Sequence, residues 1–122
     1  MSDFKSLEQT RAKLAWEFVN SIAENFDKIS SHIKKLPALI LTSGLGQAVA
    51  FYLSKDDHKK IINNVAETMS KITAIEGINC GKDLLEKIRT SDHDTYILLS
   101  NEALKYATWL KRLAEAMEAK NE

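Results

Sequence analysis

The residues in this chain whose types can carry chemistry are three histidines (His32, His58 and His93), one cysteine (Cys80) and the string Gly44-Leu45-Gly46-Gln47. No second His or Cys stands at the short spacings that gather ligands around a metal, so a zinc site is not expected. Asp92 and Asp94 flank His93, and acidic residues just ahead of a helical stretch read as caps that favour its positive end. Cys80 would need a base and an orienting group to act as a nucleophile, and Ile78-Asn79-Cys80-Gly81 reads as a loop between helices. A phosphate-binding glycine loop follows a strand and opens a helix, whereas Gly44 and Gly46 lie inside an apolar helical pattern without a following Lys-Ser/Thr. These glycines read as packing positions, where another helix approaches closely. The sequence thus offers no catalytic residue, metal ligand set or cofactor motif, and we expect a chain that binds.

The elements that must position any binding residues are helical. The 122 residues include only four Gly and one Pro, too few for the reversals of a sandwich or barrel. Hydrophobic residues at 44% and charged residues at 28% suit one folded core, read as a single domain over residues 1–122. The periodicity predicts an all-α compact bundle of about five to six helices. Leu7, Arg11, Leu14, Ala15, Phe18, Ile22, Phe26, Ile29 and Ile33 form one stripe at steps of three and four, with a break expected around residues 25–28. Pro37 is expected to end that stripe and to open an apolar core helix reaching Leu53. Further helices are expected after Asp56, from Lys82 to Thr90, and along Leu99, Ala103, Tyr106, Leu110, Leu113 and Met117, the last closing the bundle against the Pro37 helix.

Formal charge is zero, with 17 basic against 17 acidic residues, so the molecule as a whole exerts no bulk attraction on nucleic acid. The distribution is uneven. Between residues 28 and 60, six lysines stand against Asp56 and Asp57, a local net of +4. Trp16 and Trp109 fall one step off the apolar stripes and are candidates for a subunit interface. A single cysteine excludes a disulfide within the chain, and the opening MSDFKSLEQ has no apolar signal core. A cytoplasmic protein without a membrane span is the expectation.

The segment Lys34-Lys35-Leu36-Pro37-Ala38-Leu39-Ile40-Leu41-Thr42-Ser43-Gly44-Leu45-Gly46-Gln47, followed by Ala50-Phe51-Tyr52-Leu53, resembles the signature of the small subunit of type III-B CRISPR effector complexes, the Cmr complex. The opening Leu7-Glu8-Gln9-Thr10-Arg11-Ala12 and the closing stretch from Glu102 to Ala116, with its Trp109-Leu110-Lys111-Arg112, resemble the ends of the same family in the same order. The region from Asp56 to Thr95 carries helix without a family motif.

The resemblance implies a helical scaffold without enzymatic activity. Copies would stack beside the repeated backbone subunit, contact the large polymerase-like subunit and further copies of themselves, and help hold guide RNA and target RNA. In that role Arg11, Lys34, Lys35, Lys111 and Arg112 are the RNA-binding candidates, neutralising phosphates on one face without reading sequence. The competing reading is a free-standing helical adaptor acting as a homodimer.

Overall fold

The computed structural model describes residues 6–120. Its first helix starts at a capping box: the Ser6 hydroxyl accepts from the Gln9 amide at 3.1 Å, and the Ser6 amide donates to the Gln9 side chain at 2.8 Å. Gln9 therefore has a structural task. Six α-helices follow in order, α1 (Leu7–Ser21), α2 (Phe26–Ser43), α3 (Leu45–Leu53), α4 (Asp56–Ile72), α5 (Gly81–Thr90) and α6 (His93–Lys120), with a short 3₁₀ turn at Ala23–Asn25. No strand occurs among the described residues. The compact helical bundle expected from the apolar periodicity is what forms. Its first break lies at Ile22–Asn25, slightly ahead of the expected place.

Pro37 does not end a helix. It sits inside α2, where proline removes one hydrogen bond and crowds the preceding turn at a cost of about 3 kcal/mol. The stripe around it explains why the helix continues. Phe26, Ile29, Ile33, Leu36, Pro37 and Ile40 are all buried, so stopping at Leu36 would forfeit the burial of the last turns against the bundle.

The apolar run instead breaks at Gly44, whose φ of 90° lies in the left-handed region that side-chain-bearing residues avoid. Its amide closes α2 on the Ile40 carbonyl at 2.9 Å, and α3 begins at the next residue. The predicted core helix from Pro37 to Leu53 is thus two elements. Gly46, in the first turn of α3, does face another helix: a Cβ there would lie 3.4 Å from the Ile88 side chain of α5.

α6 packs along both α1 and α2, while α3 lies against α2, α4 and α5. The core between them is filled by fully buried Ile33, Leu36, Leu45, Tyr52, Ile61, Ile62, Met69, Leu84, Leu99, Tyr106 and Leu110. Asp92 caps α6 by accepting from the Thr95 amide at 2.9 Å, as its position ahead of the helix suggests.

One buried contact is ionic. Arg11 of α1 donates from Nε to Glu102 Oε2 at 2.9 Å and from Nη2 to Oε1 at 2.8 Å, and both side chains are almost fully enclosed. Arg11, expected as a phosphate contact, is thus engaged through Nε and Nη2 by a carboxylate inside the bundle. Removing one partner leaves an uncompensated buried charge, which costs about 3–5 kcal/mol. We expect Arg11→Ala to lose that much stability in urea denaturation. Arg11→Met combined with Glu102→Leu should stand much closer to the unmodified chain, and equal losses in the two variants would show that the pair is not the cause.

Candidate nucleic-acid interface

His32, on α2, and His58, on α4, are 26 positions apart and share no motif. The reversal at Gly44 carries α3 back along α2, and α4 then places His58 directly over His32. Their rings stack with centroids 3.8 Å apart and planes inclined by 27°. Phe51 and Tyr52 of α3 meet the His58 ring edge-on at 5.6 Å and 4.7 Å. The Tyr52 hydroxyl donates to the His32 carbonyl at 2.6 Å, tying α3 to α2, and burial pushes this phenol up to about 12.

These rings, with Lys35, Leu39 and Thr42, line an open cleft of about 400 Å³. Tyr52 is buried, but Phe51 keeps 48% of its surface exposed. The Nδ1 atoms of His32 and His58 are both shielded and have no hydrogen-bond partner among the described residues. Burial, the stacked His32, Lys55 and Lys35 hold the His58 imidazole below its ordinary range, against an opposing pull from Asp57. The cleft is therefore an aromatic surface in a positive setting.

The lysines around it are unequally compensated. Lys28 approaches Asp57 and Lys59 approaches Asp56, each at 3.8 Å and exposed, which is weak pairing. Lys35 has no carboxylate partner among the described residues, and Lys55 lies over the Phe51 ring at 5.9 Å from its centroid.

The other candidates do not gather around this cleft. Lys34 donates to both Glu118 oxygens at 2.9 Å, linking α2 to the far end of α6, and Ser30 donates to the same carboxylate at 3.0 Å. These hydrogen bonds hold the Glu118 carboxyl below its usual range. Arg112 is exposed beside Glu115 at 3.3 Å, and Lys111 is half-buried on α6. Arg112 and Trp109 border a second, separate groove of about 550 Å³ between α1 and α6, with Arg11 and Lys105 in its lining. Trp109 is partly buried against the core, while Trp16 is 42% exposed on α1. Of the candidates, Lys35 lines the α2–α3–α4 cleft and Arg11 with Arg112 lines the α1–α6 groove. Among the described residues, no three His, Cys, Asp or Glu side chains lie close enough to share a metal ion, and no helix is long and apolar enough to cross a membrane.

The sequence model of the family described as CRISPR-associated protein (Cas_Cmr5) matches residues 7–117. The chain belongs to this family. Cas_Cmr5 membership agrees with the resemblance drawn from the Lys34–Gln47 segment and from both ends of the chain. The CRISPR system Cmr subunit Cmr5 of Thermus thermophilus is 32% identical over 117 residues, which cover 93% of this chain and 96% of that protein. The crystal structure of a CRISPR-associated Cmr5 family protein from Thermus thermophilus superposes with a TM-score of 0.81 at 32% identity, over 92% of this chain and 97% of the other.

His58 gives the Cas_Cmr5 fold here a pH response. Because the folded pKa of His58 lies below the ordinary value of 6.5, the unfolded chain takes up the proton first. The contribution of this group is complete above that value and is lost as pH falls through the lowered folded pKa. We expect urea-unfolding stability to decline from pH 7.5 to 5.5 and the decline to flatten in His58→Gln. The same slope in both proteins would assign the effect elsewhere. Glu118, lowered from 4.5, acts in a more acidic window.

Proposed function

We propose that this chain is a non-catalytic architectural subunit of a type III-B CRISPR effector, stacking with the other subunits of the Cmr complex and helping to hold guide RNA and target RNA. The observation that carries this reading is the 32% identity to a named Cmr subunit over nearly the full length of both chains. The fold is consistent with it. Long helices such as α2 and α6 suit a spacer that presents surfaces to neighbours.

In such a complex sequence is read by base pairing, so the protein needs contacts that any sequence satisfies. Cations with no internal partner, or only a weak surface one, supply them by neutralising phosphates. Lys35, Lys111 and Arg112 remain in that role, with Lys34 held partly in reserve by Glu118. Arg11 leaves the set, and Trp16 and Trp109 keep their role as contacts to neighbouring subunits.

The test is a complex reconstituted with the triple variant Lys35→Ala, Lys111→Ala and Arg112→Ala. Target RNA affinity should fall at low salt, and the slope of its logarithm against that of salt should flatten by about two, the counterion release of three phosphates on a single strand. An unchanged slope in a normally assembled complex would remove these residues from the RNA path. Arg11 is left intact because its loss would destabilise the fold and confuse the result.

A further inference from the structure

The cleft between α2, α3 and α4 carries more than a positive charge. Phosphate neutralisation requires only lysines on a surface, yet here two imidazoles, an exposed phenyl ring and Lys35 line one concavity, with Lys55 close to that phenyl ring. Two of these groups have capacity left over. Phe51 presents half of its surface, and Lys35 has no carboxylate partner among the described residues. Lys55 covers the Phe51 ring only loosely, at 5.9 Å.

We propose that this cleft is a subsite for one nucleotide of single-stranded RNA, with the base stacked on Phe51 and the adjoining phosphate held by Lys35, Lys55 and the His32–His58 pair. The proposal rests on the RNA-holding role above and adds the form of RNA and the place where it is gripped. A cleft of about 400 Å³ falls in the range of small-ligand sites. Stacking on an aromatic face is available to every base, so the contact meets the demand for sequence tolerance. A paired strand hides its base faces within the helix, so the subsite selects unpaired nucleotides. A base arriving on Phe51 displaces Lys55 from the ring, and the freed ammonium lies beside the incoming phosphate.

Occupancy is linked to protonation. In the free protein the His58 imidazole feels Lys35 on α2 and Lys55 ahead of α4, with Asp57 on α4 as the counterweight and buried Tyr52 on α3 uncharged. Asp57 is itself shared with Lys28 at 3.8 Å. A phosphate supplies the negative charge that the cleft lacks, so RNA binding should draw a proton onto His58 and tighten as pH falls towards 6.

The test uses the full chain with an eight-residue uridine oligonucleotide, a matched RNA duplex and the isolated nucleotide uridine monophosphate, read by anisotropy or competition and by the ring signals of His32 and His58 in NMR. The single strand is expected to shift both rings, the duplex not, and affinity to rise severalfold from pH 7.5 to 6. Phe51→Leu, at an exposed position that keeps the apolar surface, should weaken the single strand about tenfold, and Phe51→Trp should restore it. If Phe51→Leu binds as tightly as the unmodified chain while the lysine and arginine triple variant binds weakly, the subsite is wrong and the phosphate-holding role stands. Equal affinity for duplex and single strand also overturns the subsite. A Phe51→Leu chain that keeps its RNA affinity but no longer assembles with the other subunits reassigns the cleft to a protein neighbour. RNA affinity indifferent to both sets of substitutions overturns the subsite together with the residues proposed to hold RNA.

Discussion

The architecture of this protein depends on the backbone reversal at Gly44. A φ of 90° is accessible to glycine with little penalty, and it allows an apolar stretch that would otherwise run as one long helix to fold back on itself. The returning α3 buries Leu45, Ala48, Val49 and Tyr52, and through Tyr52 it is tied to the α2 carbonyl of His32. Every feature of the α2–α3–α4 cleft follows from this turn. Without it, Phe51 would project from a helix extension, and α4 would not reach His32.

A second constraint determines which charges remain for partners. Equal numbers of acidic and basic residues do not cancel uniformly, because specific carboxylates are committed to specific cations within the fold. Glu102 pairs with Arg11 in the interior, and Glu118 engages Lys34 at the junction of α2 and α6. The aspartates of the first turn of α4 serve its positive end and lean on Lys28 and Lys59. What remains is a smaller set of cations than the composition suggests, and it is spread over distinct surfaces.

The helices on regular stripes were legible in the sequence because a period near 3.6 leaves few alternatives when turn formers are scarce. The location of the chain reversal was not. Pro37 carries the stronger local stop signal, and the burial that overrides it is a tertiary effect that no local pattern contains. For Arg11 a signal was present: it occupies a place in the apolar stripe between Leu7 and Leu14, where a charge must be paired, and Glu102 lies three residues after the buried Leu99. A charged residue in phase with a buried stripe is better read as half of an interior ion pair than as a surface contact. The histidine stack had no comparable signal. Two residues 26 positions apart on different helices meet only once the intervening turn is known.

The two constraints act on the same cleft in opposite directions. The turn at Gly44 brings imidazoles and lysines together, and their mutual repulsion works against closing it. The Phe51 ring offsets part of that repulsion, since Lys55 lies over it at 5.9 Å from the centroid. Asp57 offsets another part from within α4. The His58 proton is held weakly, so near neutral pH the ring stays uncharged and the remaining repulsion is largely between lysines. A cleft with this balance is compatible with the folded chain while it is empty and gains most from a ligand that brings negative charge and a flat face together.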